Sequence, residues 1–181
     1  YLDFGSGVGA NAILFARHGF DVTLADVSRT MLDFARWRFE RRGLRANYIY
    51  LRESSLPTAH FDYITAVDVF EHLTNPGQEL QKLGQALAVG GTLIFNYWVG
   101  RDPDRPMHIL HSSDPIFRVL RRCGLRRLEN EVSEVEKFGY QVAYRGAQPR
   151  LSDVAWGMYD GIYYSSPARF GKRLMKAVLS R

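Results

Sequence analysis

Cysteine is nearly absent from this 181-residue chain: Cys123 is the only one. A lone thiol excludes an internal disulfide and any zinc site built on cysteines. It fits a reducing compartment, so a cytoplasmic location is expected. Long apolar runs are missing as well. None reaches the roughly 20 residues that span a bilayer, and the opening residues do not read as a signal peptide. Internal repeats and low-complexity stretches are absent. What remains is an ordinary globular composition, 46% hydrophobic and 24% charged, long enough for one domain with a real core. The chain opens abruptly on an apolar stretch, and a further N-terminal segment is expected before residue 1.

The net charge of +5 raises the question of an acidic partner. Arg36, Arg38, Arg41, Arg42 and Arg45 cluster in one region, and Arg121, Arg122, Arg126 and Arg127 in another. Charge runs usually mark solvated helix faces, and that reading is preferred here.

The chain is organised around its first nine residues, Tyr1-Leu2-Asp3-Phe4-Gly5-Ser6-Gly7-Val8-Gly9. Tyr1 to Phe4 reads as the end of a buried parallel strand. Gly5, Gly7 and Gly9 then allow a sharp turn and close approach to a ligand. Residues 10–18 have helical spacing, with Ile13, Leu14 and Ala16 expected on one side and Gly19 as the stop. A strand, a glycine turn and a helix start together make a site for a polar ligand, because the first helical N–H groups are unpaired. Asp3 is an acid in an apolar strand end, where a carboxylate is costly without partners.

Further strands are predicted at 21–25, 46–51, 61–67 and 92–98, alternating with helices. Ser28 is the expected cap of a helix whose inner stripe is Met31, Leu32, Ala35 and Phe39, ending at Gly43. Asn75-Pro76-Gly77-Gln78 signals another helix start, with Gly90-Gly91 as its stop. Ser113 or Asp114 caps a helix running to about Cys123. Two closing strands follow, over 127–135 and 138–145, joined too tightly to be parallel neighbours. The last strand should therefore run antiparallel. This pattern predicts an α/β fold with a doubly wound, mostly parallel sheet and helices on both faces.

Gly5-x-Gly7-x-x-Ala10 satisfies the loose dinucleotide fingerprint. Asp3-x-Gly5-x-Gly7-x-Gly9 more closely resembles the first motif of class I S-adenosylmethionine-dependent methyltransferases. The run Phe61-Asp62 to Asp68-Val69-Phe70-Glu71-His72 is similar to a second segment found in small-molecule members. The resemblance covers residues 1–145 and implies a Rossmann-like, seven-stranded sheet closed by an antiparallel strand. It also implies S-adenosylmethionine as cofactor, S-adenosylhomocysteine as product, and methyl transfer to a small-molecule acceptor, oxygen first, with nitrogen or carbon open. Residues 146–181 are expected to form an aromatic and basic extension packed on this domain, with membrane-surface contact by its helix as the other option.

By that resemblance Asp3, Gly5, Ser6, Gly7 and Gly9 hold the cofactor's amino-acid end, and Asp26 accepts from its ribose. Val27 and Met31 flank the adenine. The acid expected after the third strand is displaced by Arg52, leaving Glu53 as the substitute. Asp68 faces the cofactor and the acceptor. Glu71, Tyr97, Trp98 and His111 are the expected substrate contacts. His108, His72 or Asp68 would serve as base for an oxygen acceptor. His108 and His111 could together hold a metal only with a third ligand such as Asp114, and no metal is expected. Base-amine methyltransferases carry Pro-Pro-aromatic where this chain has Val69-Phe70-Glu71, so a nucleic-acid substrate is disfavoured. Three alternatives stay open: a non-catalytic binding module on the same fold, an RNA methyltransferase, and a nicotinamide-dependent oxidoreductase.

Overall fold

The computed structural model describes residues 1–97, 107–109, 114–127 and 140–145. Trp98, His111 and the extension over 146–181 lie outside the described residues. Along the chain run β1 (Leu2–Phe4), α1 (Ala10–Arg17), β2 (Thr23–Asp26), α2 (Arg29–Glu40), β3 (Asn47–Tyr50) and β4 (Phe61–Ala66). A 3₁₀ turn (Phe70–His72), α3 (Pro76–Ala86), β5 (Leu87–Asn96), α4 (Asp114–Arg122), β6 (Leu125–Arg127) and β7 (Tyr140–Arg145) follow.

The described strands form one sheet of order β3-β2-β1-β4-β5-β7-β6. β1 to β5 pair in parallel. β7 runs antiparallel to both β5 and β6; residues 128–139, where the tight connection between the closing strands is expected, lie outside the described residues. The order reverses between β1 and β4. Chains leaving those two strands diverge, and the crevice at their carboxyl ends is where open α/β sheets bind ligands.

Two apolar clusters cover the two faces. Tyr1, Ala12, Ile13, Leu24, Leu32 and Phe39 pack α1 and α2 on one side. Leu2, Phe4, Ile64, Leu80, Leu83 and Ile116 pack α3 and α4 on the other. Alternation explains the split: Leu2 and Phe4 point one way from β1, Tyr1 and Asp3 the other. Ser28 caps α2, its Oγ accepting from Met31 N at 3.3 Å. Asn75 caps α3 by accepting from Gln78 N at 3.3 Å, with Pro76 in the first turn.

Three expectations need correction. In α1 the inner residues are Ala12 and Ile13, whereas Leu14 is exposed. In α2 the inner stripe is Leu32, Ala35 and Phe39, and Met31 is exposed. Helix α3 ends at Ala86, not at Gly90-Gly91. Its last carbonyls are captured from outside, Gln85 O by Ala59 N and Ala86 O by His60 N, both at 2.8 Å. That capture satisfies the orphan acceptors of the last turn, and the chain passes straight into β5, with Leu87 beside Phe61. Gly90 and Gly91 therefore lie within a strand. Smaller shifts are at element ends, such as Thr23–Asp26 where 21–25 was expected.

Candidate active site

The glycine turn leaves β1 with three positive φ angles: 66° at Gly5, 49° at Gly7 and 72° at Gly9. Side chains other than glycine rarely adopt this region. Gly9 is the cap residue of α1 and offers no side chain to its N–H groups. Asp3 fills that role from the neighbouring strand, its Oδ2 accepting from Ala12 N at 3.1 Å. Its Oδ1 accepts from Thr65 Oγ1 at 3.2 Å. Thr65 in turn accepts from the Tyr1 hydroxyl at 2.5 Å. Asp3 is only 3% exposed, and burial pushes its carboxyl up to about 6 against the pull of these hydrogen bonds. The same burial, with Asp3 beside it, raises the Tyr1 phenol. Asp3 thus holds the turn and the helix start together from beneath.

Asp26, at the end of β2, meets the turn directly. Its Oδ2 accepts from Gly7 N and its Oδ1 from Ser28 N, each at 2.8 Å. A carboxylate has about four lone-pair sites, so each oxygen can still accept from a ligand hydroxyl. Two features of the turn fit a polar ligand. Ser6 Oγ is buried without a hydrogen-bond partner among the described residues. A Cβ built on Gly7 would meet nothing within 4 Å.

Beyond Asp26 lies a cavity of about 600 Å³, lined by Phe4, Val27, Leu51, Arg52, Glu53 and Leu73 among others. It joins the carboxyl ends of β1, β2 and β3, and its apolar and polar walls suit a flat heteroaromatic group. Val27 and Glu53 are among its lining residues. Glu53 also pairs with Arg29 at 2.8 Å on the exposed rim. Met31 is exposed on α2 and is not among the lining residues.

A second group of polar residues is built from the segment after β4 and the end of β5. Asp68 is exposed and has φ 54°. Asn96, the last residue of β5, holds it twice: Asp68 N donates to Asn96 Oδ1 at 2.7 Å, and Asn96 Nδ2 donates to Asp68 Oδ1 at 2.5 Å. The next turn carries Glu71, 3% exposed, and His72. The His72 and His108 rings stand edge to face with centroids 5.2 Å apart. Ile109 N donates to Glu71 O at 2.7 Å, which pins 107–109 against this turn. Tyr97 is half-buried, edge-on to Phe70 at 6.4 Å, and burial pushes its phenol up to about 12.

The structure therefore brings Asp3, the glycines and Asp26 together, separately gathers Glu71, His72 and His108, and holds Asp68 against Asn96. Sequence reasoning missed Thr65 and Tyr1, which support Asp3, and Asn96, which supports Asp68. A signal existed for Thr65: it is a polar residue in an apolar strand, directly opposite Asp3 in the β1–β4 register.

This fold, with an acid-braced glycine turn at the switch point, defines a Rossmann-like protein of the methyltransferase type. Residues 1–144 match a family model described as a methyltransferase domain, and the chain belongs to that family. It is similar to the ubiquinone biosynthesis O-methyltransferase of Coxiella burnetii, with 27% identity over 122 residues, 66% of this chain and 51% of that protein. The Pectobacterium carotovorum protein of the same name is 31% identical over 98 residues, 52% of this chain and 41% of that one. The chain spans about half the length, 51%, of the Coxiella relative. Among solved structures, the [4+2]-cyclase SpnF superposes with a TM-score of 0.64 at 18% identity, covering 81% of this chain and 75% of that one.

Proposed function

We propose that the chain binds S-adenosylmethionine and moves its methyl group to a hydroxyl of a small-molecule acceptor. The observation that carries this reading is the Asp26 carboxylate held 2.8 Å from the Gly7 N–H. That contact supports the reading because it leaves a carboxylate able to accept from ribose hydroxyls beside a turn of N–H donors suited to the amino-acid end. Ser6 and the glycine turn would hold the carboxylate of that end, Asp26 the ribose, and the cavity beside Val27 and Glu53 the adenine.

The cofactor supplies an electrophilic methyl on its sulfonium. The chain's contribution is alignment, which supplies about 7–11 kcal/mol where the geometry is favourable. Asp68, fixed by Asn96, and Tyr97 would orient the acceptor, and an acceptor hydroxyl would give up its proton to the His72–His108 pair. The O-methyltransferase names of the curated relatives support oxygen as the accepting atom.

A second reading rests on the structural likeness to a [4+2]-cyclase. A methyltransferase fold can host other chemistry, because activity lives in the site rather than in the fold. Calorimetric titration with S-adenosylhomocysteine, followed by methyl transfer from labelled S-adenosylmethionine to catechol-type and other phenolic acceptors, separates the two. Binding without transfer to any acceptor would favour the second reading; no binding would overturn the first.

A further inference from the structure

We propose that Glu71, His72 and His108 form a binding site for a divalent transition-metal ion of the zinc or cobalt kind. One ligand atom from each residue lies within 4.8 Å of the other two. Two observations, independent of that proximity, point to a cation. Glu71 is 3% exposed, yet its Oε2 has no hydrogen-bond partner among the described residues. His108 Nδ1 is likewise buried and unpartnered. A buried carboxylate oxygen and a buried imidazole nitrogen left unpaired side by side are each costly. A shared cation satisfies both at once.

The surroundings already have the form that metal ligands need. His72 Nδ1 lies 3.3 Å from Met107 O. Donation to that carbonyl fixes the proton on Nδ1 and leaves Nε2 free to ligate, the usual support for a metal-bound histidine. The bond from Ile109 N to Glu71 O holds the His108 segment in place on the other side. Asp68, close in sequence, is engaged by Asn96, so the third ligand comes from His108 rather than from it.

Two imidazoles and one carboxylate suit zinc, cobalt or ferrous iron better than magnesium, which prefers oxygen ligands and its own waters. Atoms on one tetrahedral ion with bonds of about 2.0–2.1 Å stand roughly 3.3 Å apart. Closing from 4.8 Å needs movements on the order of 1 Å, within reach of the exposed His72 ring. Three protein ligands leave a position for water or an acceptor oxygen. The His72–His108 pair serves as base only in the ion-free site; with an ion bound, a hydroxyl at the open position would release its proton to water.

The test is made on the full chain after dialysis against a chelator. Titration with Co²⁺ should give one ion per chain and a visible absorption band, and Zn²⁺ should abolish the band by displacement. Glu71→Gln and His108→Asn should each weaken Co²⁺ binding at least tenfold, while S-adenosylhomocysteine affinity stays within threefold. Absence of the band, or equal Co²⁺ affinity in wild type and His108→Asn, overturns the site. Circular dichroism checks folding; should Glu71→Gln fail to fold, the less buried His108→Asn decides alone. Metal titration needs no cofactor, so this inference and the methyl-transfer reading fail separately.

Discussion

Gly7 and Asp26, 19 residues apart in sequence, are joined by a 2.8 Å hydrogen bond from the Gly7 N–H to Asp26 Oδ2. The bond ties the turn after β1 to the end of β2. Ser28 N closes the other side of the carboxylate at the same distance, so the group cannot swing away. An acid fixed in this way meets a ligand without having to be ordered first, and binding then loses little entropy.

Replacing Asp26 tests the cofactor assignment. Asp26→Ala removes the acceptors for two backbone N–H groups and, on the proposed reading, for the ribose. S-adenosylhomocysteine affinity should fall at least tenfold, about 1.4 kcal/mol. Asp26→Asn keeps one acceptor and should fall between. Unchanged affinity in both, measured by calorimetry, would show that the ligand lies elsewhere.

The two glycines flanking Val8 should respond differently to alanine. Gly9→Ala places a Cβ 2.7 Å from Leu24 Cδ2 and 3.3 Å from Ala35, on top of an unfavourable φ of 72°. It should cost about 2–4 kcal/mol of stability, from strain and overpacking together. Gly7→Ala meets open space and should cost only about 1–2 kcal/mol, from the backbone term. Its larger effect should be on the ligand, whose approach the new methyl blocks. Urea unfolding and calorimetry on the same two variants give the comparison, and a reversed order would refute the account of the turn.

Asp3 gives the chain a pH dependence of defined sign. Its carboxyl is raised from 3.8 to about 6, so the folded state favours the protonated form. The associated stabilisation is fully present below the unfolded value and is lost as pH rises through about 6. That rise corresponds to at most about 3 kcal/mol. Asp3→Asn, permanently neutral, should gain stability relative to wild type between pH 5 and pH 8. Thermal unfolding at those two values checks it; a constant difference would remove Asp3 as the titrating group.

Much of this was legible in sequence because the informative residues are local. Glycines spaced around a turn, Ser28 and Asn75 at helix starts, and Asp26 at a strand end each signal through their immediate neighbours. The ends of α3 and the supports of the site did not. Helix α3 stops because Ala59 and His60, remote in sequence, take its last carbonyls. Thr65 and Asn96 matter only because sheet register sets them opposite Asp3 and beside Asp68. The rotation of α1 is similar: Ala12 and Ile13 face the sheet and Leu14 faces outward. Pairing across the sheet decides such contacts, and one-dimensional spacing does not encode it.

Asn96 should prove as important as the residue it holds. Asp68 sits at φ 54°, a conformation that costs roughly 1–2 kcal/mol for a residue with a Cβ. Its backbone N–H and its carboxylate both bond Asn96 across the β4–β5 junction. Asn96→Ala removes both bonds and lets the backbone relax, so Asp68 leaves the acceptor side. Stability should drop by about 1–2 kcal/mol, and turnover should fall more than cofactor affinity does. Asn96→Asp keeps the acceptor for Asp68 N but sets two carboxylates together, and should be less stable than wild type. Asp68→Asn should be mild by comparison, since Asn tolerates the left-handed region and can still bond Asn96. If Asn96→Ala changed stability alone and left kcat as in wild type, the pair would be a brace for the β4–β5 junction with no share in placing the acceptor.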